Sequence, residues 1–349
     1  MRGEYKVPGG KLVVVELDSE GGHFRNAHIS GDFFLEPDEA LADIEGALNG
    51  LAHNSSAQEI ATAVRAAISD DVVMLGFSPE AVGTAVRRAV SHARSFEEFE
   101  WELVTAPPLS PAMHLALDQV LTEELGAGRR GPTLRIWDWA EPAIILGSFQ
   151  SLANEVDMPN AIARKVPVYR RISGGGAMFI EMGSGITHSL YAPAELVQGM
   201  SFADSYAFLD DWLIQTLRGL GIAAEYKPLN DIASDKGKIG GAAQKRLGSG
   251  AVLHHVTMAY DMDGDAMANV LRIGREKLSD KGVASANKRV DPLKAQTGLS
   301  REAIVDAMIE SFRSRYGLKQ GVITDDEMAK ATELAATKFT STEWLNRVP

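Results

Sequence analysis

The chain has 349 residues, 45% apolar and 23% charged, a globular balance with material for two or three domains. A formal charge of −12 argues against a nucleic-acid or anionic-membrane partner, because both repel it at long range. With no cysteine, a disulfide framework, a thiolate metal site and a cysteine nucleophile are excluded.

Residues 1–10 lack the apolar core of a signal peptide, and no run approaches the roughly 18 apolar residues of a membrane span. A cytoplasmic protein is expected. Residues 12–17 form a β-branched run, followed by a glycine turn at Gly21-Gly22 and a second strand over 24–29 with Ala27 and Ile29 on one face. Helical spacing follows over 39–51 (Leu41, Ile44, Leu48, Leu51) and 59–68 (Ile60, Ala63, Val64, Ala67). Ser78-Pro79 supplies an N-cap and a first-turn proline for a helix to Val90. The polar stretch 91–100 then suggests a boundary near residue 95, giving an α+β unit of residues 1–95 and a larger one of 96–349.

The larger unit mixes strand and helix signals. A strand is expected over 101–105, a helix over 111–125, and strands over 134–137 and 143–146. Ser201 with Asp204 opens a helix over 202–220 that Gly221 ends. Residues 250–260 read as a strand, and Ser300 and Thr324 (with Glu327) open two last helices. Asp325-Asp326-Glu327 reads as charge at a helix N-terminus rather than a metal site.

Two segments carry candidate chemistry. In YRRISGGGAMF (169–179), Gly174, Gly175 and Gly176 allow close backbone approach and can turn N–H groups into an anion-binding concavity. Arg170 and Arg171 add fixed charge with planar donors. Taken alone, such a segment is more often a mobile turn with solvated arginines. In NDIASDKGKIGGAAQKR (230–246), Lys238 precedes Gly240-Gly241; the lysines are either site residues or the surface of a hairpin. Two basic glycine segments together suit an enzyme that brings a carboxylate to a phosphate and must screen their repulsion. His254 and His255 are adjacent in a strand and point to opposite faces, which argues against a metal pair. His188 reads as packed or at the surface, and Lys277 and Lys281 as a solvated i,i+4 face.

RRISGGGAMF, NDI and GKIGGAAQKR resemble the signature of the lipoate–protein ligase family, whose usual forms are RRxSGGGAVxHD and ND…GKKxSGxAxR. MHLALDQVL (113–121), LRIWDWAEPAIILGSFQ (134–150), GAVLHHVTMAYDMD (250–263), KLSDKGVASANKRV (277–290) and KFTSTEWLNRVP (338–349) agree in order. Residues 9–48 resemble the family's accessory domain, here fused N-terminal to the catalytic unit. The implied fold is α+β, a biotinyl/lipoyl protein ligase-like mixed sheet with flanking helices plus the small N-terminal α+β domain.

The resemblance implies an enzyme that condenses lipoic acid with ATP, aided by Mg²⁺, releases pyrophosphate and holds lipoyl-adenylate. It then lipoylates one lysine of an acceptor domain, in 2-oxoacid dehydrogenase E2 subunits or the glycine-cleavage carrier protein. Arg171, Ser173, Gly174, Gly175, Gly176, Ala177, Met178 and Phe179 would contact the nucleotide or adenylate. Lys238 would touch both the lipoate carboxyl and the α-phosphate, and Asn230 and Asp231 would place Mg²⁺ or ATP, with no protein-only metal site. The family's His-Asp after the glycines is Ile180-Glu181 here, a departure that bears on substrate choice or rate more than on fold; lipoate and octanoate differ to such a pocket only by modest apolar contacts. Octanoyltransferases of this superfamily carry the acyl group on cysteine, a route closed to this chain. A biotin–protein ligase, reminiscent in KPLNDI…GKIGG, would show GRGRxGR where RRISGGGAMF stands. A non-catalytic acyl- or nucleotide-binding homologue is the reading from another class.

Overall fold

The computed structural model describes residues 1–262, 270–272 and 290–348. Residues 277–289 of the KLSDKGVASANKRV segment, with Lys277 and Lys281, lie outside them. The chain divides into two compact units: Met1–Glu98 with Ala194–Asp211, and Phe99–Pro193 with Trp212–Pro349. Among the described residues no helix is long and apolar enough to cross a membrane.

The first unit is an antiparallel meander, β1 (Arg2–Lys6), β2 (Leu12–Glu20) and β3 (His23–Gly31), with a short ribbon of β4 (Phe34–Glu36) and β5 (Val73–Leu75). Alternation puts Val13, Val15 and Leu17 of β2 inward, against Phe24 and Ile29 of β3. The core is completed by α1 (Ala40–Leu48), α2 (Ala57–Ala67) and α3 (Pro79–Ser91) through Ile44, Leu48, Ile60, Val64, Val82 and Val86. Ser56 and Glu59 form a capping box for α2, and Ser78 accepts from the Ala81 N–H at the start of α3. Gly3 lets β1 lie against α3, since a Cβ there would meet the Ala85 oxygen and Ala89 nitrogen at 2.2 Å. The buried Arg88 guanidinium donates to the carbonyls of Glu4 (2.5 Å), Arg94 (2.8 Å) and Leu196 (2.9 Å), and burial lowers its pKa to about 10.

The second unit is a mixed sheet with flanking helices. In chain order it contains β6 (Glu102–Thr105), α4 (Pro111–Gly126), β7 (Thr133–Trp137), β8 (Ala143–Leu146), α5 (Leu152–Glu155), α6 (Met158–Ala163), β9 (Val168–Arg170), β10 (Met178–Ile180) and β11 (Gly185–Pro193). After α7 (Phe202–Gly219), which begins in the first unit's segment, come β12 (Glu225–Lys227), β13 (Asp231–Ala233), β14 (Lys238–Arg246) and β15 (Ala251–Ala259). It ends with α8 (Leu293–Thr297), α9 (Arg301–Tyr316), β16 (Lys319–Gln320), α10 (Asp325–Leu334) and α11 (Thr342–Leu345). Eight strands form one sheet in the order β12-β13-β14-β15-β11-β7-β6-β16. It is antiparallel except where β6 meets β7 and β16. A second sheet runs β10-β8-β9.

The central strands are buried along nearly their whole length because both faces are covered. On one face α4 contributes Leu117, Leu121 and Leu125 to a cluster with Trp137, Tyr191 and Leu253. On the other, Trp212 stacks edge-on with Phe312 of α9 and with His188 of β11, at 5.1 and 5.3 Å. Both nitrogens of the wholly buried His188 ring are unbonded among the described residues, and burial lowers its pKa to about 3.

Glu124 ties α4 to α10: it accepts from Arg129 at 2.5 Å and from Lys330 at 3.0 Å, and chiefly the Arg129 bond lowers its pKa from 4.5 to about 2. A depressed carboxylate pKa stabilises the fold above the unfolded value and loses that contribution as pH falls through the folded one. The melting-temperature gap between wild type and Glu124→Gln is therefore expected to be full above about pH 5 and to close toward about pH 2. A gap that persists at the acid end would show that the carboxylate charge is not what joins these helices.

Candidate functional site

The glycine segment joins β9 to β10, and the two arginines before it have opposite duties. Arg170 donates to the carbonyls of Gly147 (3.0 Å), Gln150 (2.6 Å), Leu345 (2.7 Å) and Val348 (3.1 Å), and its own carbonyl accepts from the Trp344 indole at 2.8 Å. It anchors the segment around α11 to the smaller sheet. Arg171 turns inward beneath the loop. Its guanidinium donates to Ser173 Oγ (2.9 Å) and to the carbonyls of Gly174 (2.5 Å), Gly176 (2.9 Å) and Ile145 (3.4 Å).

That inward pull decides where the loop's N–H groups go. The carbonyl and N–H of one trans peptide unit point in opposite directions. The Ser173 carbonyl is held by the Ser148 N–H at 2.8 Å, and those of Gly174 and Gly176 by Arg171. The following amides, of Gly174, Gly175 and Ala177, therefore point away from these anchors. Among the described residues no group accepts from the N–H of Gly174, Gly175 or Gly176. Gly175 sits at φ +88°, where a side chain is strained, and a Cβ on Gly147 would lie 2.0 Å from the Gly175 oxygen. The result is a concavity of outward backbone amides, a geometry that suits an anion.

The second glycine segment lies beside the first. Asn230 Nδ2 donates to the Ala242 carbonyl at 2.6 Å, while the Ala242 N–H donates to the Asn230 carbonyl at 2.9 Å. A Cβ built on Gly175 would lie 3.9 Å from Asn230 Nδ2 and 3.8 Å from the Ala243 Cβ; one on Gly241 would lie 3.2 Å from Lys238 Nζ. Lys238 Nζ pairs with Asp231 at 2.7 Å, and its side chain is 39% exposed. The structure thus brings together Gly174–Gly176, Asn230, Asp231, Lys238 and Gly241.

The remaining expected site residues divide. Ala177 and Met178 are half-buried, while Phe179 is buried in a cluster with Ile144 and Leu146. Ile180, where the family has histidine, is wholly buried in the α4 cluster beside Trp137, Trp139 and Ala143. Ser173 is fully buried and reaches farther than the sequence suggested. Its Oγ bonds His255 Nε2 at 2.7 Å, and His255 Nδ1 bonds Asp118 Oδ2 of α4 at 2.7 Å. Asp118 Oδ1 also accepts from the hydroxyls of Tyr191 (2.6 Å) and Ser189 (2.9 Å). His254 points to the other face, as strand alternation requires. Sequence reasoning passed over Asp118; the signal was a lone carboxylate in the apolar helix MHLALDQVL.

A mixed sheet with flanking helices carries a nest of amides beside a lysine hairpin, an arrangement whose donors suit an anionic ligand. The profile of the lipoyl protein ligase A/B catalytic domain matches residues 110–313, more than half of the chain, and the chain belongs to that family. Residues 1–109 lie outside the match, and with them the first unit's Met1–Glu98 part. The chain is similar to a probable lipoate-protein ligase A of Mycoplasma genitalium, at 28% identity over 69% of this chain and 70% of the relative. It is similar also to the octanoyltransferase LipM of Brevibacillus brevis, at 23% identity over 70% of this chain and 98% of the relative. A structure from the archaeal lipoylation system of Thermoplasma acidophilum, a bi-partite lipoate protein ligase and its E2 lipoyl domain, superposes with a TM-score of 0.62. It shares 27% identity, over 72% of this chain and 97% of that one.

Proposed function

We propose that the chain is a lipoate–protein ligase: it condenses lipoate with ATP to lipoyl-adenylate, then lipoylates a lysine of an acceptor lipoyl domain. Acceptors of this kind are 2-oxoacid dehydrogenase E2 subunits and the glycine-cleavage carrier protein. One observation carries the reading: the outward amides of Gly174 and Gly175 lie next to Asn230, in the hairpin that bears Lys238. Donors of two kinds then converge, as two mutually repelling anions require.

In the first step a lipoate carboxylate oxygen attacks the α-phosphorus, the bond to the bridging oxygen breaks, and pyrophosphate leaves. The loop amides hold phosphate oxygens, and Lys238, a compact cation, screens the carboxylate from the phosphate. In the second step the acceptor amine attacks the acyl carbonyl, AMP leaves with the bonding electrons, and the amine loses a proton. Mg²⁺, when bound, neutralises charge on the ATP phosphates. Asn230 Nδ2 is used by the Ala242 carbonyl, so Asn230 Oδ1, with the Asp231 carboxylate that pairs with Lys238 at 2.7 Å, would hold the ion. One or two protein oxygens is the usual share for this ion beside a nucleotide. Residues 1–95 would serve as the accessory domain.

The likeness to an octanoyltransferase raises the second reading, direct acyl transfer without ATP. A thioester route through cysteine needs a residue absent from these 349 positions. Exchange of labelled pyrophosphate into ATP that depends on lipoate is the expected result. A folded protein giving no exchange with lipoate, octanoate or biotin would overturn the ligase reading.

A further inference from the structure

We propose that Asp118, His255 and Ser173 form a one-way hydrogen-bond relay that positions the Gly174–Gly176 loop for adenylate formation, a role that rests on the ligase reading. The direction of every proton in it follows from the partners. The Tyr191 hydroxyl accepts from Arg135 at 3.2 Å, and Ser189 Oγ accepts from the Trp137 indole at 2.9 Å. Each therefore gives its own proton to Asp118. The other Asp118 oxygen faces His255 Nδ1, which must carry the ring's proton to donate there. Burial lowers the His255 pKa, which leaves Nε2 as a bare lone pair. Ser173 then donates its hydroxyl proton to Nε2 and accepts from Arg171 Nε. With the His255 ring neutral, the chain of donors reads Arg171 to Ser173 to His255 to Asp118.

A serine, a histidine and an aspartate in this order resemble a nucleophilic triad. Ser173 is wholly buried, however, with Arg171 and His255 already on its oxygen. It cannot meet an acyl group without leaving both. What the relay does reach is the loop: Ser173 directly precedes Gly174, and its carbonyl is fixed by Ser148. Asp118 lies on α4 and His255 on β15, so a packed helix and a central strand of the unit set the position of the loop amides. These three are positioning residues, and Asp118 and His255 act only through Ser173.

The test is Asp118→Asn, which keeps the shape. An amide nitrogen turned to His255 forces the ring to carry its proton on Nε2, so that Ser173 faces two donors and its own proton has no acceptor. Turned the other way, it meets the Tyr191 and Ser189 hydroxyls with the same conflict. Expected are a fall of about 10²-fold in kcat of lipoate-dependent exchange, as for small misplacements of reacting groups, and nearly unchanged KM values. His255→Gln, which can still accept from Ser173, is expected to recover part of the activity lost in His255→Ala at equal melting temperature. Histidine ¹⁵N spectra of the unliganded wild type should show His255 protonated on Nδ1. An Nε2-protonated ring in the wild type, or exchange unaltered in Asp118→Asn, overturns the relay. Wild-type protein without exchange sinks the ligase reading alone, and the tautomer still decides the relay.

Discussion

Lys238→Ala is expected to reduce lipoate-dependent exchange by on the order of 10²–10³-fold, the scale for removing one preorganised donor to developing charge, and to leave the melting temperature nearly unchanged. The side chain is 39% exposed, and its ion pair with Asp231 is open to solvent on the lysine's side. Exposed pairs contribute about 0–1 kcal/mol at most. The backbone of Lys238 carries the local structure instead: its carbonyl accepts from the Asp291 N–H at 2.9 Å, a bond that alanine keeps. Removing the lysine also takes away the cation beside the Asp231 carboxylate, which then repels phosphate more strongly. Exchange assays paired with calorimetry on the same preparations decide the point. A large drop in melting temperature would make Lys238 a structural residue and remove it from the chemistry.

The fold was legible wherever its causes are local. Ser78-Pro79, Ser300 and the Thr324–Glu327 box all cap the helices they were expected to open, because a cap is satisfied within four residues. The apolar strands 134–137 and 143–146 appear within a residue of their expected bounds. The polar start hid β1: Arg2, Glu4 and Lys6 alternate outward and only Tyr5 offers an apolar side chain to the core. At the site, the glycine segments were legible because glycine states a backbone need by itself. Arg171 was not. A guanidinium beside three glycines suggests a ligand contact, whereas chain closure turns it under the loop to bind carbonyls. The Asp118–His255 link was further out of reach, since its partners stand 137 residues apart in sequence. Strand alternation separated His254 from His255 without saying which of them faces the loop.

Arg171→Lys separates a clamp from a ligand contact, because it keeps the charge and discards the planar fork. If Arg171 acted by charge alone, lysine would retain most of the exchange activity. As a clamp it should not: the guanidinium spans Ser173 Oγ and the Gly174, Gly176 and Ile145 carbonyls from three nitrogens, a set that one ammonium cannot reach together. Hydrogen bonds to a charged group contribute about 1.5–3 kcal/mol each. Losing one or two of them should lower the melting temperature by several degrees, about 2–4 °C per kcal/mol in a unit of this size. The freed carbonyls no longer hold the following amides outward, so exchange activity should fall about 10²-fold as the nest loses its shape. Amide hydrogen exchange in the unliganded protein should speed up at Ser148, whose N–H donates to the Ser173 carbonyl at 2.8 Å, and stay unchanged in Lys238→Ala. Faster exchange in both variants would mean that the loop is held by the hairpin lysine as much as by the arginine beneath it. The separation between a clamp that shapes the nest and a cation that works within it would then fail.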